Sequence, residues 1–284
     1  MFKKKRYFWI FSLPAVIFLL LIMIIPFIVG IFYSFTNSNG LTFSWVGFKN
    51  FGLLLHDQNF IQSFLITVAF SLLSVIGINI IALGFSLLVT RKDNQLNRIL
   101  RTIFFVPNLI GGILLGFIWQ FIFTRVFAAF GSLLNLNFLK GWLSSSTTGL
   151  WGLVILFWWQ MSGYIMLVFI SFLNSIPKNT IESAQLDGAN DWQIFWHIKV
   201  PQLAPAFTIS LFLTLANSFK LYEQNLALTN GGPYRSTEMI SMSIYNNAFI
   251  NYQQGYAQAE GIFLFIFVAL LTFVQLYFSR KNEA

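Results

Sequence analysis

Lys220 and Glu223 stand three positions apart in an otherwise apolar stretch that also carries Asn217, Ser218, Tyr222, Gln224 and Asn225. On one helix that spacing gives the two charges a shared face, where they can pair. Polar and ionisable side chains within a membrane helix are costly, so they turn toward a bundle interior or a water-filled cavity. Trp158, Trp159, Gln160 and Tyr164 form a second mixed cluster earlier in the chain. Either these groups line a path through the membrane, or Lys220 and Glu223 form a solvated salt bridge at its outer boundary.

Covalent chemistry has little to work with. The chain has no cysteine, which removes disulfides, thiolate metal sites and thiol nucleophiles. Its two histidines, His56 and His197, lie far apart without an HxxxH-type partner, so no metal site is expected. No nucleophile and base stand in a recognisable relation, and no G-x-x-x-x-G-K-[ST] phosphate loop occurs. The expectation is therefore no catalytic residue, and no cofactor in this chain.

The elements that must position the polar groups follow from composition. Hydrophobic residues fill 57% of the 284 positions and charged residues 9%, against about 25% charged in an ordinary soluble domain. A water-soluble fold of this size cannot hide so much apolar surface. A spanning helix needs about 20 apolar residues, and six stretches qualify: 8–35, 60–90, 102–123, 150–173, 206–228 and 256–278. Each must be helical, because backbone groups in hydrocarbon need internal partners. The expected fold is all-α, a single membrane domain of six transmembrane helices. Residues 1–59 supply the first helix and its external loop, and 60–284 a core of five helices.

Charge orients the chain. The formal net charge of +8 could suggest nucleic acid, but the basic residues sit at the ends of apolar runs, so membrane lipid and not nucleic acid is the expected partner. With both termini on one side, that side receives Lys3, Lys4, Lys5, Arg6, Arg91, Lys92, Arg98, Arg101, Lys178, Lys199, Arg280 and Lys281. The other side holds Lys49, Arg125, Lys140, Lys220 and Arg235. This bias places both termini in the cytoplasm. Trp9 and Trp151, near span ends, suit the aromatic belt. The basic start resembles a signal peptide, but its apolar run is too long, lacks a small-residue cleavage site and contains Pro14 and Pro26. An uncleaved first helix is expected.

One cytoplasmic stretch is more than a connector. Pro177 is placed to end the fourth span, Thr180 to cap a short helix, and Gly188 to stop it. Asp191 can cap a second helix through Trp192, Phe195 and Trp196 to Pro201. The outcome is a helix–turn–helix outside the membrane with apolar residues left on a face, a form suited to docking.

Glu182-Ser-Ala-Gln-Leu-Asp-Gly-Ala189, followed by Phe195-Trp-His-Ile198 and Pro201, resembles the "EAA" motif of ATP-binding-cassette importer permeases. The family pattern is close to E-A-A-x-x-D-G-A, then F-x-x-I, then a proline; Ser183 replaces its first alanine. Leu228-Thr-Asn-Gly-Gly-Pro233 and Ile244-Tyr-Asn-Asn-Ala-Phe249 resemble the external loop of that superfamily's sugar permeases, usually L-T-x-G-G-P and then Y-x-x-A-F. The combination points to carbohydrate-type importers related to the maltose and glycerol-phosphate systems, and the resemblance spans nearly the whole chain.

The resemblance implies a type I importer permease, with a cytoplasmic coupling helix between helices 4 and 5. Glu182, Ser183, Ala184, Asp187, Gly188 and Ala189 would dock an ATPase subunit. Gly231, Gly232 and Pro233 would form the external loop motif. Lys220 and Glu223, with Tyr222 or Asn217, would line the sugar path, because the segment before L-T-x-G-G-P contributes substrate contacts in related permeases. Trp159, Gln160 and Tyr164 of the fourth span join them on their own chemistry, since aromatic rings stack on a sugar's C–H faces and polar side chains meet its hydroxyls. The implied partners are a second homologous permease, two cytoplasmic ATPase subunits holding ATP and Mg2+, and an extracellular solute-binding protein. The setting is a bacterial-type plasma membrane. Against an ion-coupled secondary transporter of a small polar solute, acids within the spans are few, Glu223 and Glu260, and both lie near helix ends.

Overall fold

The computed structural model describes residues 2–92 and 94–283, with side chains described for 11–92 and 94–279. Lys3, Lys4, Lys5, Arg6, Trp9, Arg280 and Lys281, used above for topology, lie outside the described side chains.

The described chain is helical, with an isolated bridge between Thr36 and Trp45. Helix α1 runs through Phe2–Leu19, a π turn at Leu20–Ile24, and Ile25–Ser34. Pro26 offers no N–H and crowds the carbonyl a turn back. Just before it the Ile25 N–H reaches Leu20 O, widening the helix into the π turn without ending it. Then come α2 (Lys49–Leu54), α3 (Gln58–Thr90), α4 (Gln95–Phe105) and α5 (Gly112–Leu133). Helices α6 (Ser146–Ser175), α7 (Lys178–Leu186), α8 (Asp191–Gln202) and α9 (Ala204–Ser218) follow. The chain closes with α10 (Glu223–Leu228), α11 (Ile240–Tyr245) and α12 (Gln254–Glu283). Among the described residues, five helices are long and apolar enough to cross a membrane: α1, α3, α5, α6 and α12. The count reaches six when α8 and α9, bent by 65°, are taken as one span.

Two expected spans break. The stretch 102–123 is not one helix: α4 ends at Phe105, Val106–Leu109 forms a 3-10 turn around Pro107, and Ile110 is extended. Proline and the Gly111–Gly112 pair end one helix and start another, so the crossing helix is α5, displaced toward residue 133. The stretch 206–228 breaks as well. Helix α9 stops at Ser218, residues 219–222 are non-helical, and α10 starts afresh at Glu223. Lys220 therefore precedes the helix that carries Glu223. Their three-residue spacing gives no shared helical face, and among the described residues no ion pair joins them.

The chain divides into two compact units, residues 1–61 with 243–266, and residues 62–242 with 267–284. Residues from the far end of the sequence thus complete the first unit.

In the larger unit α6 is the central helix: two thirds of its most apolar window (67%) is buried, against 17% for α5. Phe157, Met161, Ile165 and Phe169 of α6 pack with Phe70 and Ile78 of α3 and Leu203. Lipid is as apolar as leucine, so helices in a membrane associate through close packing of small residues and through hydrogen bonds. Both devices are present. A Cβ on Gly77 would lie 2.1 Å from Trp158, and one on Gly163 would overlap the Phe104 carbonyl. Ser210 Oγ donates to Asn79 Oδ1 at 2.5 Å, and the Ser71 and Ser218 hydroxyls are 2.6 Å apart, tying α9 to α3.

In the smaller unit, Phe35 stacks on Trp45 with centroids 5.7 Å apart. Buried Asn50 donates to the Ser34 and Thr36 carbonyls, at 2.8 and 2.7 Å.

Candidate functional site

The segment between α6 and α9 is built by two capping devices in succession. Helix α6 ends at Ser175, before extended Ile176 and Pro177. Helix α7 begins at Lys178 with Pro177 as its N-cap, so Thr180 lies inside the first turn instead of capping it. At the other end the Gly188 N–H donates to Gln185 O at 3.1 Å, and the Ala189 N–H to Ala184 O at 2.9 Å. This 5→2 and 6→1 pair is a Schellman motif, and it places Gly188 at φ +85°, where a Cβ is disfavoured. Asn190, not Asp191, is the next N-cap. Its Oδ1 accepts the Gln193 N–H at 2.9 Å while Gln193 Oε1 accepts the Asn190 N–H at 2.9 Å, a capping box. Helix α8 continues through a π turn at Phe195–Lys199 and past Pro201 to Gln202, and the 65° bend turns the chain into α9.

The six docking residues predicted from the motif thus sit together on α7 and its C-terminal turn. Glu182, Ser183, Asp187 and Gly188 are exposed, and Ala184 and Ala189 are half-buried. Leu186 is 89% exposed and Trp192 68% exposed, with Trp196 beside Trp192 at a centroid distance of 5.5 Å. A groove of about 360 Å3 lies alongside, lined by Asp187, Gly188, Ala189, Gln193, Ile194 and His197. Exposed apolar side chains rimmed by polar groups mark a surface meant to be covered.

The residues predicted for the path separate into three places. Gln160 is buried on α6, and its Oε1 accepts from Gln224 Nε2 of α10 at 2.9 Å. Glu223, next to Gln224, is exposed and lies over Gly112 of α5. Helices α5 and α10 meet closely because Gly112 and Gly116 present no side chain; a Cβ on Gly116 would lie 2.5 Å from Ala227 Cβ.

Trp159 stands elsewhere, edge-on to Trp119 with centroids 5.7 Å apart, in a cleft of about 420 Å3 lined also by Phe85, Phe104, Trp158 and Ser162. The Trp119 indole nitrogen is buried there and has no hydrogen-bond partner among the described residues.

The third group does not join either. Tyr164 packs against the apolar core. Asn217 is exposed and donates to its own helix at Leu213 O, 2.8 Å away. Lys220 is exposed in the non-helical link, with half-buried Tyr222 after it.

The Gly231–Gly232–Pro233 motif is organised by a residue that the pattern did not single out. Asn225 is fully buried; its Nδ2 donates to Thr237 O at 2.8 Å and to Thr229 Oγ1 at 3.0 Å, and its Oδ1 accepts the Met239 N–H at 3.0 Å. Thr237 Oγ1 donates to Gly232 O at 2.7 Å. Gly231, at φ +75°, Gly232 and Pro233 form the turn so held, and Arg235 pairs with buried Glu238 through two contacts of 2.5 and 2.9 Å. Glu260 is a second buried acid, accepting from Ser243 and Asn247 at 3.0 Å each. Asn225 was visible as part of a polar cluster, but its role depends on chain twelve residues away.

Residues 80–283 match the family described as binding-protein-dependent transport system inner membrane component. The chain is 44% identical to the probable starch degradation products transport system permease protein AmyD of Thermoanaerobacterium thermosulfurigenes, over 99% of this chain and 97% of that protein. It is 30% identical, over the same shares, to the multiple sugar-binding transport system permease protein MsmF of Streptococcus mutans serotype c. Its fold is similar to that of a chain in the crystal structure of a bacterial ABC transporter that imports the acidic polysaccharide alginate. The TM-score is 0.88 at 22% identity, covering 98% of this chain and 96% of the other.

Proposed function

Because the chain belongs to the family of binding-protein-dependent transport system inner membrane components, we propose that it is the subunit through which a sugar or oligosaccharide crosses the membrane. It is a non-catalytic, multi-pass permease of an ABC importer, and a binding protein and an ATPase are its partners.

The observation that carries the reading is the cytoplasmic segment. Two capped helices hold Glu182, Asp187, Leu186 and Trp192 exposed around a groove, a shape fitted to a soluble partner. Two ATPase subunits, holding ATP and Mg2+, would grip this segment and its counterpart on a second, homologous permease. Closure of the ATPases then rocks the spans between two packings, which is alternating access. Both termini face the cytoplasm in this reading, and an extracellular binding protein delivers the solute.

The class of solute is supported by the names of the relatives, which speak of starch degradation products and of multiple sugars. The side chains suit that chemistry. The Gln160–Gln224 pair and Glu223 offer hydrogen-bonding groups, and exposed Trp159 offers a ring face to a pyranose. A solute hydroxyl would also satisfy the buried Trp119 N–H.

The test is reconstitution of this chain with its second permease, ATPase and binding protein in vesicles, followed by ATP-dependent uptake of labelled malto-oligosaccharides. Uptake that requires ATP and the binding protein is expected. Transport by an ion gradient without ATP, or failure with every saccharide offered, overturns the reading.

A further inference from the structure

A second place in the chain gathers side chains suited to a saccharide. In the unit formed by residues 1–61 and 243–266, a cleft of about 490 Å3 opens between the segment after α1 and the first turn of α12. That volume falls within the range of small-molecule sites. Asn37, Lys49, His56, Asp57, Tyr252 and Tyr256 line it. None of them belongs to the external motif or to the polar groups assigned to the path.

The walls are fixed before any ligand arrives. Gly255, on the first turn of α12, lies so close to the preceding segment that a Cβ there would stand 2.0 Å from Thr36 O, and its N–H donates to Ser38 O at 3.0 Å. Tyr256 donates its phenol proton to Asp57 Oδ2 at 2.6 Å. Asp57 Oδ1 meanwhile accepts the Asn59 N–H at 2.9 Å, capping α3. A carboxylate has about four acceptor positions, so these two bonds hold the group in place and leave it able to accept more.

The rim carries an anomaly. Tyr252 is 67% exposed and its backbone sits at φ +55°, a left-handed conformation that bulky residues rarely adopt. The Asn251 and Gln253 N–H groups on either side are bonded to Asn246 O and Asn247 O, both at 2.8 Å, and hold it there. Conformations of this kind gather at ligand clamps, where the surrounding structure imposes them.

Two tyrosine rings beside a carboxylate, an amine, an imidazole and an amide make a set that matches a pyranose. Aromatic rings meet its C–H faces, and the polar groups meet its hydroxyls. We propose that this cleft is a saccharide-binding subsite on the outer side of the unit formed by residues 1–61 and 243–266, made of residues other than those assigned to the membrane path. The proposal rests on the reading of the solute as a sugar and of the termini as cytoplasmic.

The test uses the chain's two histidines, His56 and His197. The assembled permease–ATPase complex in nanodiscs, without binding protein, is treated with diethyl pyrocarbonate at rising maltotriose concentration, and the modification of each histidine is followed by mass spectrometry. Occupancy shields His56, whose modification rate falls about tenfold near saturation by mass action, while that of His197 on the cytoplasmic segment does not change. Tyr252→Ala and Lys49→Gln, both at exposed positions, abolish the shielding in a complex that still assembles. Uptake of the same saccharide with binding protein is measured in parallel. Normal uptake with His56 reacting equally fast at every concentration overturns the subsite and leaves the importer reading standing. Shielding that persists in both variants also overturns it. Absence of any saccharide uptake removes the underlying reading, and the subsite with it.

Discussion

Gln224 Nε2 on α10 donates to Gln160 Oε1 on α6 at 2.9 Å, a direct hydrogen bond between two residues 64 positions apart. Gln160 in turn reaches Ile110 O at 3.4 Å, at the break between α4 and α5. The pair therefore sits where three helices meet.

Removing one partner strands the other, at a cost of about 1–3 kcal/mol for a buried unsatisfied group. Gln160→Leu is expected to lower the melting temperature and the uptake rate together. The double variant Gln160→Leu/Gln224→Leu should lose less stability than the sum of the single changes, by about 0.5–3 kcal/mol of coupling. Additive losses would mean that the bond is incidental.

Trp119 predicts a separation of stability from transport. Its buried N–H has no partner among the described residues, so Trp119→Phe removes an unmet donor and should leave thermal stability unchanged or raise it, by up to about 1–3 kcal/mol. If a solute hydroxyl satisfies that donor during passage, uptake falls in the same variant. Uptake at the parent rate would take Trp119 out of the path.

Two glycines make a matched pair. A Cβ on Gly116 would meet Ala227 Cβ at 2.5 Å, whereas one on Gly84 meets nothing within 4 Å. Gly116→Val should cost about 1–3 kcal/mol by overpacking and disturb α10 and the Gly231–Gly232–Pro233 turn that follows it. Gly84→Ala should be neutral or stabilising by about 0.5–1 kcal/mol. Melting curves in one detergent settle the comparison; equal effects would refute the close α5–α10 contact.

Gly188→Ala isolates the turn between α7 and α8. The site has open space, so the cost comes from φ +85° alone, about 1–2 kcal/mol. That corresponds to about a 5- to 30-fold loss in the correctly formed turn. Co-purification of the ATPase should weaken accordingly, with no change in membrane insertion, and Gly188→Asn should recover part of the loss because asparagine tolerates the left-handed region.

The class of molecule was legible in the sequence because it depends on quantities that need no third dimension. Apolar content and the length of apolar runs are summed along the chain, and lipid answers to those sums. The short-range turn at Gly188 was also legible, since a Schellman motif is completed within six residues. The caps nearby were less so: Thr180 and Asp191 are acceptable caps by type, but Pro177 and Asn190 sit one turn or one residue earlier and start the helices first.

Helix continuity was another matter. An apolar run through Phe104–Pro107 or Ser218–Tyr222 reads as one span, because hydropathy cannot register a change in direction. At each break a side chain from elsewhere meets a freed backbone carbonyl: Gln160 Nε2 donates to Ile110 O at 3.4 Å beside Pro107 and Gly111, and Ser241 Oγ donates to Phe219 O at 2.7 Å. Tertiary structure alone decided that Lys220 and Glu223 part company, that Gln160 finds Gln224, and that Asn225 holds the turn at Gly231–Gly232–Pro233. Each depends on which chain segment lies across a gap of a few ångströms. In a membrane that choice is made by small-residue contact and hydrogen bonding between helices, and the apolar background leaves no periodic trace of it in the sequence.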